Sequence, residues 1–245
     1  GRVVDPAADI GLLRLLEIAA VCNDARLESH DGWHIHGSAT EGALLVLARK
    51  SGADLTVRFQ RLGEVPFSSS RKRMAVIARD DEGRSWSFVK GSPEALLPLC
   101  SRVLEAGAER LLGEPDRQRL LGDARCLGER GFRVLALAFR RLPDGADPKA
   151  AERGLTWSGL GALIDPPRDG VRDAIKALRG AGIRTVMVTG DQKATAMSVA
   201  RELAIAGPDD LGIDAGELAD YVRGRRWDDL RRIAVLARVS PEDKL

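Results

Sequence analysis

The sequence has few cysteines. Cys22, Cys100 and Cys126 are the only three among 245 residues, and they lie far apart. An odd number of widely spaced cysteines gives neither a disulfide framework nor the ligand spacing of a zinc site. The cysteines therefore provide no case for a disulfide-stabilised domain and fit a reducing cytosol best.

The chain also lacks long hydrophobic runs and a strong charge of either sign. No apolar stretch approaches the roughly 20 residues that a membrane-spanning helix needs, and we find no signal peptide, internal repeat or low-complexity tract. The net charge is +2, with 44% hydrophobic and 30% charged residues. This composition is ordinary for a globular protein with room for two modest domains. Bulk charge gives no reason to expect nucleic acid as a partner.

A stretch near residue 80 predicts a β-hairpin. Strands are expected at 73–79 and 85–90, joined by Asp-Asp-Glu-Gly, a charged turn that suits a reversal. Because side chains alternate along a strand, Trp86, Phe88 and Lys90 share one face. This arrangement puts an ammonium group at the end of an apolar, aromatic surface.

The residues around this hairpin predict an adenine nucleotide site. The ring of Phe67 can stack on a base, and Lys72 and Lys90 can meet phosphate as mobile point charges. Gly91 has no Cβ to obstruct a ligand, and residues 92–94, Ser-Pro-Glu, have the order that opens a helix. The alternative is a core phenylalanine with two solvated lysines. The combination favours the nucleotide site, and lysine is scarce, with only seven in the chain.

Two segments here resemble a known family. Phe-Ser-x-x-Arg-Lys-x-Met at 67–74 and Lys-Gly-Ser-Pro-Glu at 90–94 resemble the nucleotide-binding domain of the P-type cation-transporting ATPases, in the calcium-pump-like branch. The family usually has alanine where this chain has Ser92. The resemblance implies that ATP is the ligand.

Other segments extend the resemblance. Gly-Ser-Ala-Thr-Glu-Gly at 37–42 is similar to the family's Gly-Asp-Pro-Thr-Glu-Gly, and Cys-Asn-Asp at 22–24 is similar to a segment found early in its nucleotide domain. The resemblance implies that Glu41, in the first turn of a helix that reaches about residue 50, approaches the adenine. It also implies that Arg133, on a buried strand, contributes to nucleotide binding. Further helices are expected at 9–22 and 115–130, with a surface connection at 142–154.

A second pattern begins near residue 160. Short apolar runs alternate with helical patterns whose apolar residues recur at i, i+3, i+4 and i+7. This alternation predicts a parallel sheet with right-handed crossovers. The expected elements are strands at 160–164, 183–188 and 233–239, helices at 170–179 (capped by Asp169), 193–203 and 216–226, and a loop at 207–215.

Polar residues follow two of these strands, at the edge where parallel sheets bind ligands. Asp165 follows the first strand, and Thr189, Gly190 and Asp191 follow the second. Thr189 supplies a hydroxyl and Gly190 gives an anion access to the backbone. Asp191 caps a helix or orients a metal-bound water.

These strand ends also resemble the P-type ATPases. Asp-Pro-Pro-Arg at 165–168 and Thr-Gly-Asp at 189–191 resemble the hinge and phosphorylation domain, and Ala-Arg-Val-Ser-Pro-Glu-x-Lys at 237–244 resembles its phosphate-proximal segment. The resemblance implies charge contacts from Arg168 and Arg238. It further implies electrostatic stabilisation of the transferring phosphoryl group by Thr189, Gly190, Asp191 and Lys244.

The expected fold class is α/β and α+β. Residues 1–157 are predicted to form an antiparallel-sheet nucleotide-binding domain with flanking helices. It is inserted in a partial Rossmann-like, haloacid-dehalogenase-type parallel-sheet domain at 158–245. The family transfers the ATP γ-phosphoryl group to aspartate in Asp-Lys-Thr-Gly-Thr, with Mg²⁺, and this chain contains no such sequence.

We therefore expect a soluble, monomeric fragment from the cytoplasmic side of a membrane cation pump. It is expected to bind ATP without turnover, to contact the membrane and actuator domains of the same polypeptide, and to bind no nucleic acid. The transported ion is not specified by these residues.

Two other functions stay open. A haloacid-dehalogenase-type phosphatase with a large cap would need an aspartate nucleophile on its first strand, and a non-catalytic nucleotide-binding module would only bind. A Rossmann dehydrogenase is disfavoured because no Gly-x-Gly-x-x-Gly follows a strand. His34 and His36 share a strand face, but only His30 is near them and no cysteine is, so we expect no metal site.

Overall fold

The chain forms two compact units. The computed structural model describes residues 5–52, 54–143, 151–164, 167–191 and 193–240. The first unit comprises the described residues of Gly1–Ala124 and Val134–Leu163, and the second those of Arg125–Arg133 and Ile164–Leu245. The domain division predicted between residues 157 and 158 falls inside a strand.

A seven-stranded, mostly antiparallel sheet is the centre of the first unit. The helices are α1 (Ile10–Val21), α2 (Ala39–Arg49), α3 (Pro93–Leu96) and α4 (Glu114–Glu129), which begins in this unit. The strands are β1 (Arg26–Ser29), β2 (Trp33–His36), β3 (Phe59–Ser68), β4 (Arg73–Asp80), β5 (Ser85–Gly91), β6 (Cys100–Glu105), β7 (Ala108–Leu111), β8 (Arg133–Leu142) and β9 (Leu155–Leu163). The sheet has the order β3-β4-β5-β8-β9-β6-β7, and β1 and β2 form a separate hairpin. β6 and β9 are a parallel pair.

Helices cover both faces of this sheet. On one face, α1 and α2 pack on alternate residues of β4, β5 and β8, including Met74, Phe88 and Leu137. On the other face, Leu96 of α3 and Leu120 of α4 pack on the intervening residues. Because both faces are buried, all seven residues of β5 are buried. The predicted buried strand that carries Arg133 is confirmed as β8, since Leu137 lies in one core and Ala136 in the other.

The predicted central hairpin is confirmed. β4 and β5 pair without a bulge from Arg73 opposite Gly91 to Arg79 opposite Ser85. Trp86 and Phe88 lie in the same core, as alternation predicts, with nearly parallel rings whose centroids are 6.3 Å apart.

Asp80 closes the turn of this hairpin. Its carboxylate accepts hydrogen bonds from Trp86 Nε1 at 2.8 Å and from Arg84 Nε at 2.7 Å. The Arg84 backbone N–H donates a third at 2.8 Å. Burial alone would raise the pKa of Asp80, but these hydrogen bonds outweigh it and lower the pKa from 3.8 to about 2.

We expect this carboxylate to make stability fall in acid. A folded-state pKa below the unfolded one stabilises the fold above pH 4, and that stabilisation is lost as the pH falls toward 2. Urea unfolding of wild type and Asp80→Asn at pH 6 and pH 3 measures the effect. The stability advantage of wild type should shrink by about 1 kcal/mol at pH 3. A constant advantage contradicts the prediction, and Asp81→Asn is the exposed neighbouring control.

The second unit contains a parallel sheet, as predicted. Its elements are α5 (Val171–Gly180), β10 (Met187–Val188), α6 (Lys193–Glu202), β11 (Leu211–Asp214), α7 (Ala215–Arg223), α8 (Trp227–Leu230) and β12 (Ile233–Ala237). The strands are parallel in the order β10-β12-β11. The mixed α/β fold class is therefore confirmed.

Several local predictions for this region are wrong. Residues 160–163 are the end of β9 in the large sheet and do not start the parallel one. The predicted loop at 207–215 contains β11, and the strand predicted at 183–188 is only two residues long. The N-cap of α5 is Gly170, with φ of 81°, and not Asp169. Ala151, predicted in a surface connection, is fully buried and accepts a hydrogen bond from Ser87.

Candidate nucleotide-binding site

The predicted binding residues of the first unit gather at one end of three adjacent strands. Phe67 lies near the end of β3, Lys72 lies in the turn that leads into β4, and Lys90 lies at the end of β5. Lys90 is directly opposite Met74 on β4, and β3 pairs with the other side of β4. Two strand spacings of about 4.8 Å therefore separate the ends of β3 and β5.

Lys90 is a buried partner of Glu41. Its Nζ lies 2.6 Å from Glu41 Oε1, and the two side chains are only 9% and 17% exposed. The prediction that Lys90 is a mobile point charge is therefore wrong, because the side chain is buried and ion-paired. Lys72 is exposed and keeps the mobility that was predicted for both lysines.

The start of α2 fixes the Glu41 carboxylate. Ser38 is the N-cap of α2. Its Oγ accepts a hydrogen bond from the Glu41 N–H at 3.2 Å and donates one to Glu41 Oε2 at 3.3 Å. The Asp24 N–H donates to Oε1 at 3.2 Å. With Lys90, three donors hold this carboxylate: the Ser38 hydroxyl, the Asp24 N–H and the Lys90 ammonium.

The close approach of neighbouring backbone requires glycine at position 91. A Cβ at this position would lie 2.6 Å from Arg73 Cβ and 2.7 Å from the Lys72 carbonyl oxygen. The space that was predicted to admit a ligand at Gly91 is therefore filled by the start of β4. The same Lys72 carbonyl accepts from the Ser92 N–H at 3.0 Å, so it ties the Lys72 turn to the start of α3.

The turn between β3 and β4 is anchored beneath its exposed side chains. Arg71 Nη1 and Arg73 Nη2 bind the two oxygens of Glu152 at 2.5 and 2.9 Å. Lys72 adopts a positive φ of 53° at the end of the turn. Phe67 is 62% exposed, so its ring is available to a ligand while the backbone around it is held.

The remaining predicted nucleotide residue, Arg133, belongs to the second compact unit. It is the first residue of β8, and it is exposed. Its contribution to the nucleotide site stays a prediction.

In the second unit, the loops after β10 and β12 meet. The Arg238 N–H donates to the Asp191 carbonyl at 3.0 Å, and the Val239 N–H donates to the Thr189 carbonyl at 3.0 Å. The Thr189 hydroxyl donates to Asp191 Oδ2 at 3.0 Å. A Cβ on Gly190 would lie 3.6 Å from the Val239 carbonyl. Four of the predicted residues are thus brought together by the backbone at the carboxyl ends of parallel strands.

For three other predicted residues, the structure describes no contact with the loops after β10 and β12. Arg168 is exposed shortly before α5. Asp165 and Lys244 lie outside the described residues.

Cysteine chemistry does not contribute to the site. Cys22 is fully buried beside the Lys90 backbone, and this burial raises the pKa of its thiol to about 12. His34 and His36 lie on β2. Over the described part of the chain, no three His, Cys, Asp or Glu side chains are arranged to hold a metal, and no helix there is long and apolar enough to cross a membrane.

Sequence reasoning missed the residues that hold Glu41. Ser38 was noted only as a departure from the family's Asp-Pro, although the spacing Ser38-x-x-Glu41 is the signature of a capping box. The sequence indicates Asp24 only as part of the family-like Cys-Asn-Asp segment and predicts no contact with Glu41. The contact of Asp24 with Glu41 joins two segments 17 residues apart, so no local sequence pattern indicates it.

Comparisons with known proteins show the family of this chain. Residues 11–170 match the family model described as P-type ATPase, cytoplasmic domain N. The chain is 35% identical to a calcium-transporting ATPase of Bacillus subtilis and 36% identical to one of Listeria monocytogenes, each over 240 residues and 96% of the chain. It is 36% identical over 246 residues, 95% of the chain, to a probable cation-transporting ATPase F of Mycobacterium tuberculosis. The chain spans about a quarter of the length of these relatives, 27% of each. The chain therefore belongs to the P-type ATPase family, and residues 11–170 are its cytoplasmic N domain.

Proposed function

We propose that this chain binds ATP at the end of its seven-stranded sheet and is the ATP-binding segment of a cation-transporting ATPase. The observation that carries the proposal is the buried pair of Lys90 and Glu41, 2.6 Å apart, at the same end of the sheet as the exposed ring of Phe67. A fixed cation and a fixed carboxylate offer a donor and an acceptor to a purine edge. The ring offers a stacking surface.

The two lysines have different roles in this proposal. Lys90 is held in place and partly desolvated, so its interaction with a ligand is stronger than that of a solvated ammonium. Lys72 is exposed on an anchored turn and reaches phosphate as a mobile charge. Arg133 stays a proposed nucleotide residue on the resemblance to the family alone.

The longer protein is proposed to couple ATP hydrolysis to cation transport through an aspartyl-phosphate. Thr189, Gly190 and Asp191 then stabilise the transferring phosphoryl group with a hydroxyl and backbone groups, and Arg238 adds positive charge beside them. Lys244, Asp165 and Arg168 are proposed members of the same group. Mg²⁺ is a proposed cofactor of the longer protein, and the described residues of this chain offer no three-ligand cluster for it.

ATP binding by this chain alone is expected to be weak and without turnover. Its 245 residues contain no Asp-Lys-Thr-Gly-Thr acceptor sequence. A site that uses only part of its phosphate contacts is expected to have a dissociation constant of roughly 0.1–10 mM.

A phenylalanine variant tests the stacking surface. Phe67→Ala should weaken ATP binding about tenfold, because one base–aromatic stack contributes on that scale, while inorganic tripolyphosphate should bind wild type and variant alike. Isothermal titration or NMR shift titration measures both ligands. Trp33→Ala removes another exposed aromatic side chain of the same unit and should leave ATP affinity unchanged. Equal ATP affinity of wild type and Phe67→Ala contradicts the proposed stacking.

A further inference from the structure

Asn23 connects the end of α1 to the start of α2. Its Nδ2 group donates to the carbonyl oxygens of Ala19 and Glu41, each at 3.0 Å. Its Oδ1 accepts from the Ala25 N–H at 3.0 Å. The side chain is buried, and both amide hydrogens and the amide oxygen are therefore occupied.

Glu41 is thus held from two directions by one turn. Asn23 binds its main-chain carbonyl, and the N–H of the next residue, Asp24, binds its carboxylate. Arg61 of β3 supports this turn from its far side, since Nη1 donates to the Asn23 carbonyl at 3.3 Å and Nη2 to Asp24 Oδ1 at 2.8 Å. The turn is accordingly fixed relative to both α2 and the sheet.

We propose that Asn23 is a positioning residue for nucleotide binding, which acts through Glu41 to hold the Lys90 ammonium. This inference rests on the proposed ATP site. Asn23 itself touches no ligand; it sets where the first turn of α2 lies. The Glu41 carboxylate then determines where Lys90 Nζ lies, because a salt bridge of 2.6 Å between two largely buried side chains admits little movement.

The chemistry requires asparagine at this position. Nδ2 donates to two carbonyl oxygens. An aspartate at position 23 would place a carboxylate oxygen, which can only accept hydrogen bonds, against those two carbonyl oxygens. A small apolar side chain would leave both carbonyls without this donor. A residue that only ended α1 would need the bond to Ala19, but not the bond to Glu41.

A double-mutant cycle on ATP affinity separates positioning from simple stabilisation. Asn23→Ala should weaken ATP binding about fivefold, the scale of one hydrogen bond. In a Glu41→Ala background the same change should weaken ATP binding less than about twofold, because the group it positions is gone. Equal effects in both backgrounds overturn the proposal. Thr156→Val, which removes a buried hydroxyl bonded to Glu109 at 2.6 Å, is the control that should lower stability and leave ATP affinity intact.

A measurement on wild type decides the matter if Asn23→Ala does not fold. Asn23 is the only asparagine in the chain, so selective ¹⁵N-asparagine labelling gives a single, already assigned side-chain amide. Saturating ATP should shift this Nδ2 signal in wild type and leave it in place in Glu41→Ala. No shift in wild type, while the Lys90 backbone amide does shift, overturns the inference alone. Absence of ATP binding by wild type overturns it together with the proposed function.

Discussion

Replacing Lys90 by methionine should weaken ATP binding about 30-fold, because hydrogen bonds to a charged group contribute roughly 1.5–3 kcal/mol. Methionine keeps most of the length and apolar character of the lysine stem, and it removes the ammonium together with its ion pair to Glu41. Isothermal titration with ATP measures the change. Lys72→Met should weaken binding only about threefold, because charge pairs in water contribute about 0–1 kcal/mol.

The comparison between the two lysines is the informative part of this experiment. Lys90 is 9% exposed and paired, whereas Lys72 is exposed on a turn. Circular dichroism should show both variants folded. Equal losses from Lys72→Met and Lys90→Met would contradict the assignment of a fixed ammonium at Lys90 and a mobile one at Lys72.

Replacing Gly91 by alanine should destabilise the first unit by about 3 kcal/mol, the upper range for overpacking a tight site. The new methyl group would meet Arg73 Cβ at 2.6 Å and the Lys72 carbonyl at 2.7 Å. A main-chain carbonyl cannot rotate away, so the Lys72 turn must move and ATP affinity should fall with stability. Urea unfolding monitored by tryptophan fluorescence measures the loss.

A glycine elsewhere in the sheet is the matched control for Gly91. An added Cβ at Gly63, in β3, meets nothing within 4 Å, so Gly63→Ala should leave stability within about 0.5 kcal/mol of wild type. A destabilisation of Gly91→Ala as small as that of Gly63→Ala would show that β4 yields to the methyl group. The room for a ligand predicted from sequence would then be restored.

The features that sequence reasoning predicted correctly are those with local causes. The β4–β5 hairpin follows from alternation and a charged turn, and α3 begins where Ser92 can cap it. The parallel arrangement of β10 and β12 follows from the alternation of short apolar runs with helical patterns.

The features that it missed depend on contacts between distant segments. Residues 160–163 are mostly apolar and would suit a strand of either sheet, and only the place of β9 between β8 and β6 decides which sheet they join. β11 was missed because Leu-Gly-Ile-Asp is short and contains glycine.

The interactions of the charged site residues also depend on contacts between distant segments. The sequence places Lys90 on an aromatic face, but only the approach of α2 reveals that Glu41 neutralises it. The role of Asn23 likewise depends on the Glu41 carbonyl, 18 residues away. The sequence likewise predicts room for a ligand at Gly91, whereas the start of β4 occupies that space.

The most direct test of the proposed function is an ATP titration of the ¹⁵N-labelled chain followed by amide shifts. We expect saturable shifts in the millimolar range or below, clustered at Phe67, Lys72, Lys90 and Glu41 and largely unaffected by Mg²⁺. Absence of saturable shifts at these residues, or shifts confined to other parts of the first unit, would contradict an ATP site at the end of the seven-stranded sheet.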